Sequence, residues 1–282
     1  MPILRWREGQ LVPHLELPVS GGEDAEAFRI GDRLFLATAS LRTGEGPYDL
    51  NTQSVIYEWR DNRFEPFQHV PTFAAKQWRH FEIDGRHVLA LAQGVVMPGV
   101  AATHPAKSTI FTWDGGKFVE LQTVTSGWGY NWRHIPIAGR HLLAYSDHAT
   151  PSLLLEWTGR TFREFQALEG KSGRAVCFFT HVGEHWLAVA NLLEDSILLR
   201  WTSQRFETHQ ILCGPGAREF LWLEQGGGRL VQANFLLGSR EAPRVMTQSS
   251  VYAFTSGRLE LVASLDSSGA VDVAAGAPLV EQ

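Results

Sequence analysis

Apolar positions in this chain fall in short runs, many alternating with polar residues, and Gly-containing turns separate the runs. Phe81-Glu-Ile83, then Asp84-Gly85, then Val88-Leu-Ala-Leu-Ala92 is the clearest case. The pattern returns at Phe28–Ile30 with Leu34–Ala39, at Ile135–Ile137 with Leu142–Tyr145, and at Phe179–Val182 with Trp186–Ala190. Leu221–Leu223 with Leu230–Ala233 follows, and Val271–Val273 with Ala277–Val280 is the last. Such pairs read as antiparallel hairpins. No segment sustains a 3.6-residue apolar stripe, so helix content is expected to be near nil.

A second phrase lies between the hairpins. Ser-Val-Ile-Tyr-Glu-Trp59 recurs as Ser-Thr-Ile-Phe-Thr-Trp113, Ser-Leu-Leu-Leu-Glu-Trp157, Ser-Ile-Leu-Leu-Arg-Trp201 and Ser-Ser-Val-Tyr-Ala-Phe254. Phe64, Phe118, Phe162, Phe206 or Leu259 follows each closing aromatic at a fixed offset, and then Gln68, Gln122, Gln166, Gln210 or Ala263. A worn sixth copy opens the chain with Trp6, Leu11 and Leu15. We name the four strand types of a repeat A (Phe81 type), B (Leu89 type), C (Trp59 type) and D (Phe64 to Gln68 type). A repeat that keeps register over tens of residues marks an array of identical supersecondary units.

Four strands per unit and six units predict an all-β fold, a six-bladed β-propeller of four-stranded antiparallel blades. Residues 1–282 then form a single domain. The chain begins with C and D strands (Ile3–Trp6, Leu11–Leu17) and ends with A and B strands (Val271–Val280). The last blade is therefore expected to be closed by two N-terminal and two C-terminal strands, which removes open sheet edges.

Trp186-Leu-Ala-Val-Ala-Asn191, Ser196-Ile-Leu-Leu-Arg-Trp201 and Phe206-Glu-Thr-His-Gln210 resemble the EAR family, the epilepsy-associated or EPTP repeat. The resemblance extends over nearly the whole chain. It implies a propeller that binds something; the best-known relatives are secreted animal proteins whose propellers bind receptors.

Composition adds limits. Ten Trp and sixteen Phe against three Met, with 44% apolar residues, suit a stiff, β-rich core. A net charge of -5 gives no general attraction to nucleic acid or anionic membrane. No run reaches the length of a membrane span, and Met1-Pro-Ile-Leu-Arg-Trp-Arg has no signal-like apolar stretch. Cys177 and Cys213 make neither a disulfide framework nor a zinc spacing. The expectation is a cytoplasmic protein with reduced thiols, no nucleic-acid partner and no membrane.

Candidate chemistry concentrates where A strands start and B strands end, a face that also carries the long loops 41–53, 94–107 and 235–248. Function is usually carried on loops held by a rigid scaffold. Blades two and three share Trp-Arg-His, at Trp78-Arg79-His80 and Trp132-Arg133-His134, the second preceded by Tyr130-Asn131. Two guanidiniums beside two indoles suit a carboxylate or phosphate next to a flat body; alternatively, they pack between blades and pair with Glu219 or Glu26. Arg218 and the B-strand ends Asp147, Asn191 and Asn234 complete the expected substrate-binding ring, although for the B-strand-end Asn residues turn and loop hydrogen bonding is the stronger claim. His148, with His104 reaching in from its loop, and Glu219 are candidate proton-transfer groups.

Other motifs carry less. His181-Val-Gly-Glu-His185 has a helical metal-pair spacing but sits on a hairpin, so no metal site is expected. Cys177, with Arg174 near it, is either an activated or a buried inert thiol. The chain has no phosphate loop, dinucleotide fingerprint or nucleophile elbow, and no cofactor is expected. The sequence therefore supports a recognition propeller binding a protein or small ligand at its channel mouth. The alternatives are a cofactor-independent lyase, cyclase or isomerase acting on an anionic substrate, and a lectin-like repeat binder. Polar residues differ from blade to blade, which favours one unique site over six equal ones.

Overall fold

The computed structural model describes residues 1–124, 126–239 and 241–275. All regular structure in them is β. β1 (Pro2–Arg7) and β2 (Gln10–Glu16) form a two-stranded sheet. The first complete repeat is β3 (Gly22–Ile30), β4 (Arg33–Ser40), β5 (Asn51–Arg60) and β6 (Arg63–Phe73). The second is β7 (Gln77–Ile83), β8 (Arg86–Ala92), β9 (Thr109–Trp113) and β10 (Phe118–Thr123). Then come β11 (Gly129–Ile137), β12 (Arg140–Asp147), β13 (Leu153–Trp157) and β14 (Phe162–Ala167), and β15 (Gly173–His181), β16 (Glu184–Asn191), β17 (Ser196–Trp201) and β18 (Phe206–Leu212). The fifth repeat has β19 (Ala217–Leu223) and β20 (Arg229–Asn234), a small ribbon of β21 (Leu237–Gly238) and β22 (Pro243–Arg244), then β23 (Met246–Thr255) and β24 (Arg258–Ser268). Each repeat is one four-stranded antiparallel sheet in the order A-B-C-D.

The expectation for the last blade is corrected here. Val271–Val273 carries no strand: β24 stays paired with β23 as far as Ser268, and Gly269 then turns at φ +56. The segment after it is built of small residues around Val271 and Val273, and Val271 lies exposed. Ala277–Val280 lies outside the described residues. Five four-stranded sheets, the β1–β2 pair and the β21–β22 ribbon are therefore what the described residues form.

The chain divides into two compact units, one running from Met1 to Gly129 and the other beginning at Tyr130. Each buries the inward faces of its B strands. In the first unit Phe28, Phe35, Ala37, Ile56, Trp78, Leu89 and Leu91 form a cluster with Phe118. In the second, Ile135, Leu142, Leu154, Val176, Leu187 and Phe206 form one cluster, and Phe179, Trp186, Phe220 and Leu259 belong to another.

The repeat residues are read directly as fasteners. Asp84 and Gly85, both at positive φ (50° and 71°), make the A–B turn whose twist matches the strands it joins. The Ser of each Ser…aromatic phrase, at or near the start of a C strand, accepts an N–H from the end of the B strand: that of Ser40 goes to Ser54, Gln93 to Ser108, Asp147 to Ser152, Asn191 to Ser196 and Asn234 to Ser249. A β-bulge recurs in the C–D pairs, at Ile56/Tyr57, Leu154/Leu155, Leu198/Leu199 and Val251/Tyr252. A bulge re-aims the side chains around it, and here the repeated Gln beside it reaches the next sheet: Gln68 pairs both ways with the backbone of Phe118 and Gln210 with that of Leu259.

Candidate functional site

In the first unit, β3 and β7 lie side by side and their polar residues are spent on each other. Trp78 N–H donates to Asp24 at 2.9 Å and His80 N–H donates to Glu26 at 2.8 Å. Arg79 Nη1 donates to the other Glu26 oxygen at 3.2 Å. Trp78 itself is fully buried and donates its indole N–H to the Thr38 carbonyl. It therefore offers no open face for a ligand. Burial pushes the Asp24 carboxyl up to about 6, against the pull of the Trp78 N–H and of Arg79. His104 is likewise occupied: its Nδ1 lies 2.9 Å from the Thr52 carbonyl and 3.2 Å from that of Thr72.

In the second unit the predicted residues separate into three groups. Tyr130 is the centre of the first: the Arg174 guanidinium lies 3.8 Å and that of Arg218 4.9 Å from its ring centre, and the His148 ring stands edge-on at 6.3 Å. Burial and then the Arg174 charge drive the His148 imidazole down to about 4, despite Asp147 and a hydrogen bond with the Ser172 backbone. His148 is thus held neutral at pH 7, and the same burial and Arg174 charge disfavour its taking up a proton.

The second group is structural. Trp132 is fully buried against Tyr145, at 4.4 Å, which withdraws it, like Trp78, from any ligand surface. Tyr145 donates to Asp147 at 2.9 Å, and the other Asp147 oxygen accepts the N–H groups of Ala149 and Thr150. Asn131 accepts the Val176 N–H at 3.4 Å; Asp24 and Asn131 occupy the same repeat position and hold the next A strand at the same place. Asn191 donates to the Asp195 carbonyl and Asn234 to that of Gln248, each tying its own B–C loop. Of the two claims on these B-strand ends, turn hydrogen bonding is the one the geometry displays.

The third group is Arg133 on β11, Cys177 on β15 and Glu219 on β19; Glu219, opposite Ala233, stands at the repeat position of Asp24 and Ala175 rather than that of Cys177. Burial pushes the Cys177 thiol up to about 11, more than Arg133 draws it down. It is an inert buried thiol, not an activated one. Burial also raises the Glu219 carboxyl to about 7, with Asp272 adding to the effect and the Phe220 N–H, Arg133 and Arg218 opposing it. His181 and His185 do not converge: one meets Glu224, the other Thr180. Among the described residues no three His, Cys, Asp or Glu side chains form a metal-sized cluster.

Sequence reasoning missed Asp24, the stacking of Arg174 on Tyr130, and Trp222. In the ladder Trp222 lies opposite Leu230, where other repeats carry Ala27, His80 and Phe178 opposite Leu36, Leu89 and Leu187, so it occupies a position at which the repeat elsewhere also carries a ring.

Comparison with known proteins places this geometry. The EPTP domain matches residues 10–60, 63–114, 117–158 and 161–202, more than half of the chain. The human thrombospondin-type laminin G domain and EAR repeat-containing protein is 30% identical over 139 residues, which is 48% of this chain and 20% of that protein. The mouse protein of the same name is 31% identical over the same shares. The chain thus spans about a fifth of the length of these curated relatives. Among solved structures, the dihydro-heme d1 dehydrogenase NirN in complex with DHE superposes with a TM-score of 0.53 at 12% identity, over 83% of this chain and 45% of that one. A GH43_1 enzyme from Xanthomonas citri complexed with xylotriose gives 0.43 at 12% identity, over 77% and 83%. At such identities the likeness to NirN concerns the fold alone, and the weaker superposition carries no argument.

Proposed function

The chain belongs to the EPTP-domain family, and from that premise we propose that it is a recognition module that binds a protein partner through its loop-rich face. The observation that carries this reading is the bracing of two long loops in the first unit. Asn51 accepts the N–H groups of Thr103 and His104 on its Oδ1 and donates to the Ala101 carbonyl, so loop 94–107 is fastened to loop 41–50. The braced pair presents Tyr48, Val96 and Val100 to solvent, with the Arg42 guanidinium 3.8 Å over the Tyr48 ring. Exposed apolar and aromatic side chains on a pre-ordered support are what a protein interface uses as anchors. The polar groups expected to serve a substrate, Arg79, Asp147, Asn191 and Asn234, are meanwhile engaged in holding strands and loops.

The six sequence copies support a six-bladed propeller as the scaffold of this reading. Two free cysteines, Cys177 buried and Cys213 exposed, support a reducing, cytoplasmic setting. Among the described residues no helix is long and apolar enough to cross a membrane.

The test is affinity capture from extracts of the producing cells with wild type and a Tyr48→Ser/Val96→Ser/Val100→Ser variant of unchanged melting temperature. A protein retained by wild type and lost by the variant supports the reading; equal retention by both removes the loop face from it. A second reading, a cofactor-independent enzyme acting on a small anion, is favoured by the Glu219 carboxyl near Arg133, held at about 7. Turnover of an anionic substrate that disappears in Glu219→Gln would decide for it.

A further inference from the structure

The strand ends opposite the long loops carry a cleft that neither the repeat architecture nor the loop-face reading uses. It lies in the second unit, where β15 and β19 approach their hairpin turns, and is an open cleft of about 320 Å³. Arg133, Phe178, Thr180, Trp222 and Glu224 are among the residues that line it, and Glu224 is exposed. That volume lies at the small end of ligand sites.

Trp222 forms a fixed wall. Its ring stacks on Phe179 with centroids 4.0 Å apart and 12° between planes, and its indole N–H donates to Glu224 at 2.8 Å. From the other side Gly228 closes on it, so tightly that a Cβ there would come within 2.6 Å of the Trp222 ring. Glu224 is committed to this indole and to His181 at 3.2 Å.

Arg133 is the contrast. The residue at the same repeat position in the first unit, Arg79, is neutralised by Glu26 at 3.2 Å. Among the described residues Arg133 has no ion pair, although it is half-buried. The groups facing it are Cys177, whose thiol burial keeps neutral, and Glu219, whose carboxyl burial holds near its midpoint at pH 7, with Asp272 acting on Glu219 from beyond. A half-buried guanidinium without an ion-paired carboxylate is poised for a charge-assisted pair.

We propose that this cleft binds the carboxylate of an aromatic acid, with Arg133 holding the carboxylate and the Trp222 wall flanking the ring. The carboxylate belongs either to a free aromatic acid or to the C-terminus of a chain ending in an aromatic residue; the chemistry recognised is the same. The site is independent of the loop-face reading, and neither falls with the other.

The experiment follows the Trp222 indole N–H resonance, assigned with Trp222→Phe, during titration with indole-3-acetate, indole-3-acetamide and the peptide Gly-Gly-Phe. Saturable movement with indole-3-acetate or Gly-Gly-Phe is expected, with the amide about tenfold weaker or worse because it forfeits the charge-assisted pair. Arg133→Gln should abolish the acid's advantage over the amide, and Arg133→Lys should keep part of it. Tighter binding of the peptide identifies a chain terminus as the source, and tighter binding of indole-3-acetate identifies a free acid. The proposal is overturned by equal binding of acid and amide, by unchanged binding in an Arg133→Gln protein that melts normally, or by absence of saturable movement with both acids.

Discussion

The side chain of Gln166 forms both hydrogen bonds of a peptide pair with Phe206 of the next sheet: Nε2 donates to the Phe206 carbonyl at 2.7 Å, and Oε1 accepts its N–H at 3.1 Å. One amide thus substitutes for a strand residue and joins two sheets whose backbones do not pair. Gln166→Ala leaves two partly buried backbone groups without partners, so a loss of about 2 kcal/mol is expected. Urea unfolding should show it as a lower midpoint at unchanged slope. A midpoint equal to wild type would mean that water replaces the amide at no cost.

Two buried serines should respond in opposite directions. Ser196 Oγ accepts the Asn191 N–H, and Ser196→Ala orphans that donor at an expected cost of about 1 kcal/mol. Ser146 Oγ is buried and has no hydrogen-bond partner among the described residues, while the same repeat position is Ala39, Ala92, Ala190 and Ala233 elsewhere. Ser146→Ala should be neutral or stabilise by up to about 1 kcal/mol. Thermal melts of the two variants would contradict this account if both fell.

The A–B turns predict a stabilising substitution. Val182 begins its turn at φ +48 and is almost fully exposed, so a β-branched side chain sits in the left-handed region with no packing in return. Val182→Asn keeps the turn and relieves that strain, with an expected gain of about 1 kcal/mol. A lower melting temperature in this variant would show that Val182 packs against something in solution.

The pH profile should reflect two opposed sets of groups. Folding raises Asp24 from 3.8 to about 6 and Glu219 from 4.5 to about 7, so the folded state binds more protons over those windows. Their contribution is present below the unfolded values and fades as pH rises through 6 and 7. His80 and His134 are lowered from 6.5 to about 4 by burial and by their partners His87 and His141, so their contribution fades as pH falls from 6.5 to 4. Asp24→Asn, whose amide oxygen can still accept the Trp78 N–H, should therefore stabilise at pH 7.5 and gain less at pH 4. Melting temperatures across that range would refute the assignment if the gain were constant.

The residues that opened the reading did so because their roles are local or periodic. Alternation, X-Gly turns and the Ser…Trp…Phe…Gln phrase recur wherever the same hairpins and bulges form, so strand order within each sheet was legible before any coordinates. The site was less legible, because the fate of a polar side chain depends on what the neighbouring strand brings to it. Trp78-Arg79 and Trp132-Arg133 are identical in sequence, yet β3 supplies Glu26 to the first arginine and β15 supplies Cys177 to the second. The indoles that seemed open are buried for a related reason: side chains alternate faces along a strand, and their positions point into the packing between sheets.

By itself, then, the sequence determined the all-β class, the four-stranded unit and the fasteners repeated in each copy, since these follow from backbone geometry and short-range spacing. Only the tertiary structure decided which charges are matched, which carboxyl groups burial holds near neutrality, and that Trp222 rather than Trp132 borders a cleft. Those outcomes depend on the distances and desolvation created when residues far apart in the chain are packed together.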